Sequence, residues 1–311
     1  MQLARVMGVI GRVLMTAGVL VLLFVAYQLW GTGLHEARAQ NALENEFIDA
    51  LAAAGVDPDL DPGSETADQP APIGESSPLP PPPPPEGDAA ARLLIPTIGV
   101  DKVVVEGVSV SDLKRGPGHY PDSPMPGQPG NAAVAGHRTT YGAPFHRLDE
   151  LEVGDEMLVT TLQGSFRYTV SEQLIVSPDQ VEVLDDFGDN RLTLTACHPK
   201  YSARQRIIVV GTLDEAPAPA PEPDPQTDSE ATPEEPRATA TASLDGGLSG
   251  ERATAWPAVL LGVACGLIWL AAWVASQLIK KWVAYAVGAP IFFVVLFFFY
   301  ESFYRLLPAN F

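Results

Sequence analysis

The fold is decided by Arg191-Leu-Thr-Leu-Thr-Ala-Cys197-His-Pro199 and by Arg206-Ile-Ile-Val-Val-Gly-Thr-Leu213, which follows after a short polar connection. The first run alternates large apolar with small residues, the period of a strand with two unlike faces. The second is β-branched along most of its length and is followed by the acidic Asp214. Two such runs in succession read as neighbouring antiparallel strands. Outward from this pair the same grain recurs at 91–100, 102–108, 131–137, 156–162 and 165–176, punctuated by Gly, Pro, Asp and Asn. No amphipathic stretch long enough for a major helix interrupts it. Residues 91–215 therefore read as one all-β domain, a barrel or sandwich of seven or eight strands.

Hydropathy sets the surroundings of that domain. An apolar run at 13–30 has no charged residue between Arg12 and His35, and two more at 256–279 and 282–300 are parted by Lys280 and Lys281. Each has about the length needed to cross a hydrocarbon core. A cleaved signal peptide competes for the first run, but the run exceeds a usual h-region and the nearest small-x-small site, Ala37-Arg38-Ala39, lies well beyond it. Counting Lys and Arg in the flanks puts residues 1–12 and the 280–281 turn in the cytoplasm. The all-β domain and the tail at 301–311 then lie outside, in a multi-pass cell-membrane protein. Residues 31–54, rich in Ala, Leu and Glu, read as a juxtamembrane helix.

Net charge is −19, much of it in two Pro-rich tracts at 55–90 and 216–255. The unbroken Pro80–Pro85 run favours a stiff polyproline II spacer, and the second tract lacks the apolar content to offset ordering entropy. Both read as disordered linkers. No basic stripe suggests nucleic acid as a partner.

Only two cysteines are present, Cys197 and Cys265, and the latter lies inside an apolar span. An extracytoplasmic thiol without a disulfide partner is either a small buried hydrophobe or a reactive group. Its neighbours bear on the choice. Cys197 ends a strand, where a rigid element presents it to a loop. If the next strand is antiparallel to it, Arg206 returns beside it, favouring a thiolate and offering donors to a developing oxyanion. His137 likewise ends an apolar run, Asn131-Ala-Ala-Val-Ala-Gly-His137.

Ala135-Gly-His-Arg138, Thr193-Leu-Thr-Ala-Cys197 and Arg206 together resemble the catalytic signature of the sortases. The resemblance extends over Leu113-Lys-Arg-Gly-Pro-Gly-His-Tyr-Pro121, Pro126-Gly-Gln-Pro-Gly130, Thr139-Thr-Tyr-Gly-Ala-Pro-Phe145, Leu148-Asp-Glu-Leu151 and the segment from Cys197 to Arg206. It is most like the class E sortases of high-GC Gram-positive bacteria and covers nearly all of 93–213. It implies an eight-stranded barrel; no cofactor and no metal are expected. It also implies cleavage of a Leu-Ala-x-Thr-Gly or Leu-Pro-x-Thr-Gly sorting signal between Thr and Gly. Cys197 forms the thioester, His137 moves the proton and Arg206 holds the oxyanion. The acyl acceptor is the amine of a lipid-linked peptidoglycan stem peptide, and the donors are surface proteins with C-terminal sorting signals.

Tyr141 matches a position linked to the Ala-containing signal, and Thr195, Ala196 and His198 join it as substrate-binding candidates. Ala196 departs from the family, which often has Thr before the nucleophile. The resemblance further implies that His and Cys keep near-ordinary pKa values, so the thiolate–imidazolium pair is a minor species and the pH profile is bell-shaped.

Competing assignments stand beside these. His198 is next to the nucleophile, yet strand alternation sends it to the opposite face. Arg204 shares the face of Arg206 at i and i+2. His35, His119 and His146 show no metal-ligand spacing and read as surface or loop residues. Asp149 and Glu150 read as a solvated loop in preference to a divalent-ion site. A pilin-polymerising enzyme usually carries an Asp-Pro-aromatic lid before the barrel, and Asp57-Pro58 and Asp61-Pro62 lack the aromatic. A catalytically inactive membrane scaffold is disfavoured by the complete Cys197, His137 and Arg206 set.

Overall fold

The computed structural model describes residues 2–56, 82–220, 244, 255–278 and 280–304, which fall into two compact units. Most of both linkers, the two Asp-Pro pairs and most of the terminal tail lie outside the described residues.

The larger unit is a closed barrel of eight strands. These are β1 (Ala89–Ile95), β2 (Val100–Glu106), β3 (Gly118–His119), β4 (Asn131–Ala135), β5 (Glu156–Thr161), β6 (Gly164–Val176), β7 (Arg191–His198) and β8 (Gln205–Leu213). Around the barrel they run β1-β2-β3-β4-β7-β8-β6-β5, and β5 closes back onto β1. Two pairs are parallel, β2 with β3 and β4 with β7.

Alternation decides which side chains fill the interior. Leu192, Leu194 and Ala196 of β7 join Leu93, Ile95, Ile207 and Val209 in the main core. Thr193, Thr195 and Cys197 take the other face of β7. That outer face is buried as well. A one-turn helix, α3 (Val110–Leu113), brings Leu113 onto it, and Tyr120 from the loop after β3 joins there. Further along, the 3-10 turn Val181–Leu184 packs on the outer face of β8. Strands buried on both faces read as continuous apolar runs, as β4 and β8 do.

The helix α2 (Thr32–Ala54) carries an apolar stripe of Leu43, Phe47 and Leu51 that packs on Val103 and Val105 of β2. Gln40 clamps the same strand. Its side-chain amide donates to Val103 O and Arg115 O, both at 2.9 Å, and its carbonyl accepts from Val103 N at 2.8 Å. Lys102 pairs with the buried Glu36 at 2.7 Å.

The smaller unit contains α1 (Gln2–Ala26), α4 (Trp256–Leu278) and α5 (Lys281–Tyr304). The helices α4 and α5 are long and apolar enough to cross a membrane, whereas the apolar part of α1, Leu14–Ala26, is shorter. Leu22, Trp269 and Phe293 lie exposed on their outer faces. Tyr300 of α5 donates to Leu20 O at 2.7 Å and packs against Phe24. Cys265 sits among Leu296, Tyr300 and neighbouring apolar residues, as expected of a packing residue.

Candidate active site

The register of three strands assembles the site. Cys197 on β7 is directly opposite Arg206 on β8, so their side chains share one face about 5 Å apart at Cβ. On the other side of β7, the parallel partner β4 is in register as far as Ala135 with Thr195. The next backbone amide, Gly136 N, donates to Thr195 O at 3.0 Å. This contact carries the chain on so that His137 reaches the level of Cys197. A Cβ at position 136 would come within 2.5 Å of the Phe145 ring, so glycine is required there for the following loop to fold back. That loop holds Tyr141, Gly142 and Ala143 all at positive φ, and Phe145 N returns to His137 O at 3.2 Å.

Cys197 and His137 are each only 5% exposed, and Arg206 is fully buried. Arg206 donates from Nε to Leu244 O at 3.1 Å and from Nη1 to Ala203 O and Gln205 O at 3.0 Å. The Nε2 atom of His137 is buried with no hydrogen-bond partner among the described residues. Tyr141 lays its ring 5.4 Å from the imidazole, tilted by 36°, and Lys114 Nζ stands 5.7 Å over the Tyr141 ring. Burial first and the Lys114 charge second pull the pKa of His137 from 6.5 to about 4. An ordinary value at His137 is therefore not what this enclosure produces.

The remaining candidates sort by face. Thr195 is buried on the same face as Cys197, and its hydroxyl has no hydrogen-bond partner among the described residues. Ala196 belongs to the barrel interior, so its side chain does not line the surface that holds Cys197, contrary to its place among the substrate-binding candidates. His198 is half-buried at the end of β7 opposite Gln205, and burial followed by the charge of Arg138 lowers its pKa. Arg204 is exposed beyond the end of β8, whereas Arg206 lies within the strand.

His119 is a second departure from the sequence reading. It is a buried residue whose Nδ1 meets Glu106 at 2.8 Å and whose Nε2 meets Pro124 O at 3.0 Å. His146 is half-buried against Arg138 O, and His35 is exposed.

Two structural residues were not singled out from sequence. Arg138, 2% exposed, donates to Cys197 O at 3.2 Å and to His146 O, and pairs with Asp149 at 2.6 Å. It ties the His137 loop to the nucleophile strand, and its place next to His137 was the available clue. Asn131 donates from Nδ2 to Val183 O and Asp185 O, both at 3.0 Å, and accepts from Thr193 at 2.7 Å. It pins the 181–185 turn against the site. Asp149 is engaged by Arg138 and Lys200, and Glu150 by Arg147. Among the described residues no group of three His, Cys, Asp or Glu is placed to hold a metal.

A thiol, an imidazole and a guanidinium on one outer wall of a closed barrel are the equipment of thiol-dependent acyl transfer. A sortase-domain family model matches residues 93–214. Sortase SrtE2 of Streptomyces coelicolor is 31% identical over 226 residues, covering 68% of this chain and 83% of its own length. Sortase SrtE1 of the same organism is 34% identical over 222 residues, 66% of this chain and 56% of its own length. Sortase D of Bacillus subtilis is 36% identical over 129 residues, 40% of this chain and 64% of its own length. The chain thus spans less than two thirds of the last two relatives. Among solved structures, sortase E from Streptomyces avermitilis is 37% identical with a TM-score of 0.39, covering 42% of this chain and 91% of its own. The chain belongs to the sortase family of cysteine transpeptidases, and its relatives include class E members.

Proposed function

We propose that this protein is a membrane-anchored sortase in which Cys197 is the nucleophile, His137 the proton carrier and Arg206 the oxyanion donor. The substrate is a Leu-Ala/Pro-x-Thr-Gly sorting signal on a surface protein. The reading is carried by one observation: the Cys197–Arg206 register pair on β7 and β8 adjoins the parallel β4 strand that leads to His137.

The thiolate of Cys197 attacks the Thr carbonyl, and the developing oxyanion accepts a hydrogen bond from Arg206. Protonated His137 gives its proton to the departing Gly amine, leaving a thioester and a neutral imidazole. The incoming amine of the peptidoglycan stem peptide loses a proton to that imidazole as it displaces the thiolate. The cycle thereby returns the thiolate and the imidazolium with which it began. Because burial holds His137 neutral well below pH 7, the competent imidazolium is scarce in the free enzyme and turnover is low. Tyr141, stacked beside His137, and Thr195 beneath Cys197 border the place where the scissile bond would lie. The apolar α4 and α5, and the shorter apolar stretch of α1, support anchoring of the catalytic domain on the outer side of the cell membrane.

The test is peptide cleavage and transfer to an added amine by the purified full chain. Cys197→Ala is expected to abolish both, while Cys265→Ala, altered only in the helical unit, is expected to retain them. Wild-type turnover by Cys197→Ala would refute the nucleophile assignment.

A further inference from the structure

The outer face of β8 beyond Arg206 continues as an apolar pocket. It is formed by Ile208 and Val210 of β8 and Val176 at the end of β6, with Val181 and Leu184 of the overlying turn around it. The pocket is filled. Leu244, which belongs to the Pro- and Glu-rich tract far along the chain, is fully buried among these residues. Its backbone carbonyl takes the hydrogen bond from Arg206 Nε at 3.1 Å. One residue of the tract thus makes two unlike contacts at once, an apolar side chain in a pocket and a carbonyl on a buried guanidinium. Arg206 stands directly opposite Cys197, so the carbonyl contact is made beside the thiol.

We propose that Leu244 is an intramolecular competitor that occupies the peptide groove and must leave before a sorting signal binds. The proposal rests on the reading of Cys197 as the nucleophile and Arg206 as its partner. The residues after Leu244 are Asp245-Gly-Gly247-Leu-Ser-Gly250. They place Gly247 where a Leu-x-x-Thr-Gly signal has its Thr, so the segment has no Thr–Gly bond at the position to be cleaved. Leu244 takes the place of the signal's leucine, and the sequence after it cannot be turned over as a signal. Tethering makes this weak contact effective. A segment of the same chain that can reach the groove is present at an effective concentration on the order of millimolar, far above a dilute peptide. Burial of the leucine side chain supplies most of the selectivity for this residue over its polar neighbours.

The experiment uses the full chain and a fluorogenic Leu-Ala-x-Thr-Gly peptide. Leu244→Asp is expected to lower KM by about 10-fold, the worth of one leucine side chain lost from the pocket, and to change kcat less than KM. Thr227→Asp, which adds the same charge to the tract well before the Leu244 segment, is expected to leave KM where it is. Hydrogen exchange provides the second readout, since amides of 181–184 and of the Arg206–Val210 segment are expected to lose protection in Leu244→Asp without peptide. An unchanged KM in Leu244→Asp, or an equal fall in both variants, would overturn the competitor. Failure of the underlying reading is separate, because it would appear as retained cleavage by Cys197→Ala.

Discussion

At the scale of single residues, the two arginines near the nucleophile are distinguished by one step of a strand. Arg206 is buried opposite Cys197 and Arg204 is exposed past the strand end. Arg206→Lys keeps the charge but loses the planar fork of donors. Turnover is expected to fall by at least ~10²-fold, the scale of one oxyanion donor, while Cys197 still reacts with an alkylating agent. Arg204→Lys is expected to turn over near the wild-type rate, and the opposite ranking would reassign the role.

His137 gives a pH prediction whose sign follows from its lowered pKa. Between pH 6.5 and about 4 the unfolded chain takes up a proton that the folded chain refuses, so stability falls as the pH falls through that window. The full loss is about 3 kcal/mol. Urea midpoints from pH 7 to pH 4 are expected to decline less in His137→Gln than in wild type, and parallel declines would refute this. Cys197, His137 and Arg206 were legible because each ends or begins a short β run. The inward face of Ala196 was also legible, from the alternation that put Cys197 outside. The depressed pKa was not, because it depends on enclosure by Tyr141 and on Lys114, which is remote from His137 in sequence.

At the scale of elements, the decisive piece is the turn Val181–Leu184 that roofs the pocket on β8. Its sequence is a short mixed run of Val, Glu and Leu, with no period that fixes a strand or helix. Its position comes from Asn131, a buried amide that donates to two carbonyls of the turn and accepts from Thr193 across the parallel β4–β7 seam. Asn131→Ala leaves the Thr193 hydroxyl and two carbonyls to find new partners. It is expected to cost ~1–3 kcal/mol of stability and to raise KM for the peptide more than it lowers kcat. A denaturation curve with steady-state kinetics on the same sample checks both, and an unchanged KM would detach the turn from substrate binding.

Strands were readable from their β-branched runs, and α2 as a helix from its Ala, Leu and Glu content, whereas its stripe on β2 was not singled out. His119 was not readable. A histidine in a Gly-Pro-Gly-His-Tyr sequence has the composition of a loop, and only the pairing of β3 with β2 brings Glu106 to it.

At the scale of the whole molecule, the positive-inside pattern and the apolar α4 and α5 lead to a topology that reporter fusions can test. A reporter fused after Ala220 is expected outside the cytoplasm, and one inserted beside Lys281 inside it. A cytoplasmic signal at Ala220 would remove the peptidoglycan acceptor from the proposal. The parallel seam between β4 and β7 has a consequence for the history of each chain. It joins Asn131 to Arg191, and the contact that closes the barrel joins Arg92 to Thr160; both are long-range closures, which cost chain entropy before they return any packing energy. Until the seam zips, Cys197 has neither His137 nor a roofed groove beside it. On the proposed topology and mechanism, a newly made chain emerging from its translocation channel is an unarmed thiol, and acyl transfer is withheld from it until folding is complete.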